Sequence, residues 1–199
     1  MNLKTRPSRP GCPWLLPMTL CLSLFALPAR AQTAAGEAEI ELCFNYGCLT
    51  RQTVVFSAER FGAATRELAS ARNADEERER LAQAVGRLYA LAAEQTPIGA
   101  DRGGNFEDGG VFGRMDCIDH SQNTSAFLRL LAERNRLRWH RVLPPVRRLR
   151  FFLLQHFSAL IEEIEDGKHY VVDSWFADNG EPAIILSLAD WEKGEGPDV

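Results

Sequence analysis

The 199-residue sequence has no Cys-x-x-Cys pair, no His-Glu-x-x-His segment, no internal repeat and no low-complexity tract. Those gaps remove the common zinc frameworks and the repeat architectures. Positive charge is short as well: 23 Lys and Arg stand against 27 Asp and Glu, a net −4, so the basic footprint of a nucleic-acid binder is missing. With 10 Pro and 15 Gly the chain is neither collagenous nor disordered in composition, and 45% hydrophobic residues suffice for one ordinary core. No apolar run reaches the roughly 20 residues of a membrane-crossing helix.

The longest such run, Trp14 to Leu27, is interrupted by Pro17. It follows Lys4, Arg6 and Arg9 and precedes the small-residue site Ala29-Arg30-Ala31, the three-part pattern of an export signal. Residues 1–31 are therefore expected to be a signal peptide, with the working chain beginning at Gln32; an uncleaved anchor is the alternative. Cys21 lacks the small preceding residue of a lipoprotein site. Loss of Lys4, Arg6, Arg9 and Arg30 would leave 19 basic against 27 acidic side chains, a charge of −8 over 168 residues. The expected location is the periplasm or the exterior.

Three cysteines would remain, Cys43, Cys48 and Cys117, an odd number in an oxidising compartment. Cys43-Phe-Asn-Tyr-Gly-Cys48 brackets a turn signal, and four intervening residues let the two ends approach within disulfide range. A Cys43–Cys48 disulfide is expected, with two reduced buried cysteines as the alternative. Cys117 is then the unpaired thiol.

Residues 39–42 and 53–56 read as strands around that turn, and 58–71 and 75–95 as helices, the second with Leu81, Val85, Leu88 and Ala92 at helical spacing. Four glycines between Asp101 and Gly110 mark a long loop. A third helix is expected over 117–135, followed by strands at 137–143, 153–164, 170–176 and 183–186 with a turn at Asp166-Gly167. Helices followed by an antiparallel sheet give an α+β fold. The division is 32–97, a strand and helix part, and 98–199, a core.

Asp116-Cys-Ile-Asp119 has the spacing of a capping box, which would set the Cys117 thiol in the first turn of a helix. The helix dipole favours the thiolate there, whereas the flanking carboxylates oppose it, so a cationic partner such as a protonated histidine is needed. His156 opens a strand, and Asp173 lies in the next one. A hairpin symmetric about Asp166-Gly167 would set Asp173 opposite Leu160, so a His156–Asp173 contact requires a turn centred nearer Ile164-Glu165 or a bulge that absorbs the offset, and such an irregularity is expected between Ile161 and Val171. A buried structural cysteine beside an ordinary cap is the plainer reading.

Met115-Asp-Cys-Ile-Asp-His120 resembles the Gly-Asp-Cys-Glu-Asp-Tyr segment of bacterial transglutaminase-like cysteine proteinases, differing at the first, fourth and last places. His156 to Asp173 is similar to the His-Ala-Trp…Asp core of transglutaminase-like domains, with Phe157-Ser158 in place of Ala-Trp. Asp173-Ser174-Trp175 looks like the Asn-Ser-Trp of papain-like enzymes. The matched stretch runs from about Arg114 to Leu186. The resemblance implies a papain-like core with N-terminal helices on a C-terminal antiparallel sheet, Cys117 as nucleophile, His156 as general acid and base, and Asp173 as orienting group. It implies thiol-dependent acyl chemistry on a peptide or amide, hydrolysis before crosslinking, with a peptide or protein of the cell envelope as substrate. Peptidase, amidase and acyltransferase stay open. The rival is a non-catalytic envelope binding or assembly module on the same fold.

Other residues carry weaker signals. His120 reads as solvent-facing or structural, and His140 and His169 as sheet residues. No cofactor and no metal site is expected, although Asp101, Glu107 and Asp108 could offer oxygen to calcium. The arginines between Arg134 and Arg150 read as a solvated sheet edge or, alternatively, as a surface for an acidic polymer or headgroup. Trp139, Trp175 and Trp191 read as core or cleft lining.

Overall fold

The computed structural model describes residues 1–3, 36–150 and 154–197. Nearly all of the expected signal segment lies outside the described residues. Among the described residues, every element of secondary structure falls in the compact unit Thr33–Val199. Helix makes up 36% and strand 27% of them, grouped in runs, which is the α+β arrangement.

A hairpin of β1 (Ala38–Phe44) and β2 (Thr50–Phe56) comes first, in unbroken antiparallel register. Its alternation sends Ala38, Ile40, Leu42 and Phe44 inward while Glu39 and Glu41 face out. The helix expected over 58–71 is two pieces, α1 (Ala58–Ala64) and α2 (Arg66–Ala69). They part at Thr65, whose hydroxyl donates back to the Phe61 carbonyl at 2.9 Å. The long α3 (Ala74–Ala93) starts on an Asn73 cap with Asp75, Glu76 and Glu77 in its first turn, where the dipole favours them. A 3-10 turn at Pro97–Ala100 ends that region.

Helix α4 (Cys117–Glu133) then crosses the middle of the unit, packed by the hairpin on one side and by a four-stranded sheet on the other. That sheet is the antiparallel meander β3 (His140–Arg150), β4 (Leu154–Glu163), β5 (His169–Asp173) and β6 (Ile184–Ser187) in sequential order. One apolar core joins hairpin, α3, α4 and sheet through Leu42, Val54, Leu88, Phe127, Leu131 and Val172. Strand β3 is an edge strand, and the later part of the arginine-rich stretch, from Arg141 on, lies on it. A register shift at Pro144-Pro145, between Leu143 and Val146, with charged residues around it, blunts that edge against pairing with another chain. A short α5 (Leu188–Lys193), which the sequence pattern did not reveal, closes the end of the sheet and buries Trp191 completely. Among the described residues no helix is long and apolar enough to cross a membrane.

The join between α3 and the sheet is polar. The Glu77 carboxylate, fully buried, accepts the backbone N–H groups of Arg138, Trp139 and His140 at 2.7, 3.1 and 3.0 Å and the His140 ring at 2.8 Å. Next to it Arg78 bridges the His140 ring and Glu163 and lies over Tyr170. Truncation would leave three backbone N–H groups and the His140 ring without their acceptor, those of His140 in full burial. Glu77→Ala is expected to lower the unfolding free energy by about 3–5 kcal/mol in a urea titration, and Glu77→Gln by clearly less.

Candidate functional site

The capping box at the start of α4 is present in full. The Asp116 carboxylate accepts the N–H groups of Ile118 and Asp119 at 3.0 and 2.9 Å, and the Asp119 carboxylate accepts that of Asp116 at 3.1 Å. Cys117 is thereby the first residue of the helix, half-buried and unpaired. The Phe157 backbone N–H points at its sulfur and favours the thiolate, and Phe157 directly follows His156 on β4. Burial first, then the charges of Asp116 and Asp173, push the thiol up to about 11 all the same. Helix α4 and strand β4 thus come together at the sulfur.

His156 Nε2 lies 2.6 Å from Asp173 Oδ2. Asp173 ends β5, so the strand expected to run to residue 176 stops three residues sooner. Its carboxylate is held from two more sides, by Trp191 Nε1 at 2.9 Å and by the Trp175 backbone N–H at 3.2 Å. The imidazole sits among the rings of Trp175, Phe176 and Trp191, with centroids 5.1, 5.4 and 5.6 Å away. Sequence reasoning left Trp191 between core and cleft; its bond to Asp173 depends on α5, for which no pattern was found.

Of the two routes expected, a bulge between Ile161 and Val171 is absent, and the turn centre moves toward Ile164-Glu165 by one residue. Ala159↔Val172 through Glu162↔His169 pair without a shift, which centres the turn on Glu165-Asp166 and would bring Ser158 opposite Asp173. His156 lies two residues beyond Ser158 on the same face, the diagonal position, about 7–8 Å away between Cα atoms. A histidine and an aspartate span that distance with their side chains, so no bulge is required. The shift that does occur is one strand away, at Pro144-Pro145.

A second histidine–carboxylate pair lies beneath the first. His120, one turn after Cys117, is buried rather than solvent-facing; its Nε2 is 2.9 Å from Asp101 Oδ2 and its Nδ1 is 2.8 Å from Ser174 Oγ. Ser174 continues to Thr124 at 2.8 Å and to Tyr89 at 3.2 Å, and Asp101 also accepts the Met115 N–H at 2.8 Å. This network ties the start of α4 to the residue after Asp173. The glycine loop is drawn to the same place: Gly104 donates to the Trp175 carbonyl at 2.8 Å, and a Cβ on Gly103 would meet the Phe176 carbonyl oxygen at 2.4 Å. Phe106, which stays largely exposed, covers Trp175 with centroids 4.6 Å apart.

Cys43 and Cys48 form a disulfide with Cα atoms 4.8 Å apart. Between them Asn45, Tyr46 and Gly47, and then Cys48 itself, all have positive φ, so successive N–H groups converge into an anion nest. The α4 carboxylates fill it. Asp119 accepts from Tyr46 at 2.8 Å and from Cys48 at 2.6 Å, and Asp116 accepts from Gly47 at 3.0 Å. Asn45 and Tyr46 also reach the glycine loop, through Arg114, Gly113 and Asp108. With Asp108 bound to Tyr46 and Arg114, and Asp101 to His120, the carboxylates considered for calcium do not converge. Among the described residues the one metal-sized cluster is Cys43, Cys48 and Asp119, and its two sulfurs are bonded to each other.

Two measurements address this turn. Replacing Cys43 and Cys48 together by serine is expected to lower the unfolding free energy by about 2 kcal/mol, read from urea titration. Burial and the neighbouring Asp116 raise Asp119 from 3.8 to about 6, against the pull of its three N–H donors. The folded chain therefore holds this proton more tightly than the unfolded one. The resulting stability is complete below about pH 4 and is lost as pH rises through about 6. The Tm difference between the parent and Asp119→Asn should move in that direction across this window, and a constant difference would contradict the assignment.

Compared with family models, curated proteins and solved structures, the chain finds no match, so the site is defined by its own geometry.

Proposed function

We propose that Cys117, His156 and Asp173 form a thiol triad for acyl transfer on peptide or amide bonds, with hydrolysis as the outcome, in a protein exported to the periplasm or beyond. The supporting observation is the 2.6 Å His156–Asp173 contact on the strand whose next N–H points at the Cys117 sulfur. The likeness of residues 115–120 and 156–175 to transglutaminase-like cysteine proteinases agrees with this reading.

Each side chain has one task. Asp173 occupies Nε2 of His156 and, steadied by Trp191, fixes the ring so that Nδ1 is the nitrogen left for the thiol proton. With the thiol held near 11, little thiolate exists at rest, and proton removal by His156 accompanies attack. The sulfur adds to the carbonyl carbon, the oxyanion meets the Cys117 backbone N–H at the open end of α4, and His156 returns the proton to the leaving amine. Water, deprotonated by the same imidazole, then releases the acid from the thioester.

The raised thiol favours one other reading, a non-catalytic envelope binding or assembly module in which Cys117 is structural. Alkylation separates the two. Under the triad, His156 takes the proton as the sulfur attacks, so iodoacetamide modifies parental Cys117 near neutral pH faster than a thiol held near 11 would react unaided, and His156→Ala loses that reaction and leaves only alkaline reactivity. Equal, slow alkylation of both proteins would support the binding module instead.

A further inference from the structure

We propose that the outer edge of β1 is a docking site for an extended peptide carrying a basic–apolar–basic triplet, received as an added strand. The direction of the main-chain groups fixes where this edge lies. Cys43 offers its N–H and C=O to the Asn123 side chain at 2.8 and 2.7 Å, and Val55 offers its own to the Gln95 side chain, both at 3.0 Å. Both residues therefore point away from the partner strand. In the β1–β2 register Cys43 faces Arg51 and Val55 faces Glu39, so 39↔55, 41↔53 and 43↔51 are the pairs not hydrogen-bonded to each other. The N–H and C=O groups of Glu39 and Glu41 are consequently turned outward.

At both ends of this stretch side chains from the α4 region already act as a neighbouring strand would. Asn123 takes Cys43, and Arg134 takes the carbonyls of Gly36 and Glu37. Between them the edge opens on a groove of about 370 Å³ with Ile40, Ala126 and Leu130 at its floor. A strand laid antiparallel here forms four main-chain hydrogen bonds, two from each peptide residue opposite Glu39 and Glu41. The residue between those two turns its side chain to the apolar floor beside Ile40. The flanking two project on the face of Glu39 and Glu41.

Charge decides the occupant. Glu41 is paired with Arg51 at 3.0 Å, whereas Glu39 and Glu133 have no ion-pair partner among the described residues and Arg129 is the single cation between them. The rim is acidic by one charge. A second copy of this chain is the wrong guest, because antiparallel β1–β1 pairing about Ile40 would set Glu39 of each copy opposite Glu41 of the other. Lysine or arginine at the two flanking positions meets those carboxylates instead.

The probe is the acetylated, amidated peptide Lys-Val-Lys, short enough to fit between Asn123 and Arg134, titrated into the isotope-labelled protein by NMR. Saturable shifts of the Glu39 and Glu41 amides are expected. Methylation of both lysine amide nitrogens, or replacement of both lysines by glutamate, should weaken binding about tenfold or more. Glu39→Lys should reverse the preference between the basic and acidic peptides. The proposal is overturned if these amides stay still at millimolar peptide or if the N-methylated peptide binds equally well. It is overturned also if the amides shift with protein concentration alone, which would mean self-pairing.

Discussion

Everything around Cys117 hangs on one buried carboxylate. Asp119 accepts N–H groups from its own helix cap and from two residues of the disulfide turn, and so couples α4 to a segment more than seventy residues earlier. The turn presents those N–H groups only because four successive residues adopt positive φ, a conformation that three of them, having side chains, resist. The disulfide shuts the loop around that conformation. The same turn holds Asp108, Gly113 and Arg114, so the start of the helix and the glycine loop are set by a single piece of backbone.

Three buried histidine–carboxylate contacts of different character accompany that frame. His140–Glu77 is sealed between α3 and the sheet and only joins layers. His120–Asp101 is equally buried but adjoins the site through Ser174, so it governs how the helix of Cys117 meets the strand of Asp173. His156–Asp173 alone is close to the half-buried thiol, which feels the Asp173 charge and the backbone N–H of Phe157 next to His156, and aromatic rings around it limit water at Asp173. The contrast among them is why the third pair is given a chemical role.

The local features of the site were readable in the sequence. Asp116 and Asp119 announced the cap, Cys43-Phe-Asn-Tyr-Gly-Cys48 announced the turn, and periodicity located α3 and α4, because each of these depends on neighbours a few residues apart. The contacts between distant segments were not readable. Nothing near Glu77 indicates that it will receive the start of β3, and Asp101 and Ser174 lie on either side of His120 at separations that carry no pattern. The hairpin shows a subtler limit. Aspartate and glycine at 166 and 167 suggested the turn centre, but the true centre is one residue earlier, and in a sheet that changes which side chains oppose each other. The shifted centre and diagonal reach together bring His156 to Asp173 without a bulge. Thr65 broke a helix that apolar spacing had joined, and α5 was too short to leave a periodic trace.

Because the clasp on Asp119 spans so much of the chain, the order of assembly matters. The hairpin and the α4 cap are local and can form early, but their union requires closing a loop of some seventy residues. Until that closure the first turn of α4 is free to fray, and Cys117 is an ordinary thiol on a loose helix end. The chain thus keeps its unpaired cysteine without its surroundings through much of folding, while the disulfide turn offers two further sulfurs. Early oxidation of Cys43 with Cys48 would remove both as partners for Cys117 and leave it unpaired as the rest of the fold closes over it.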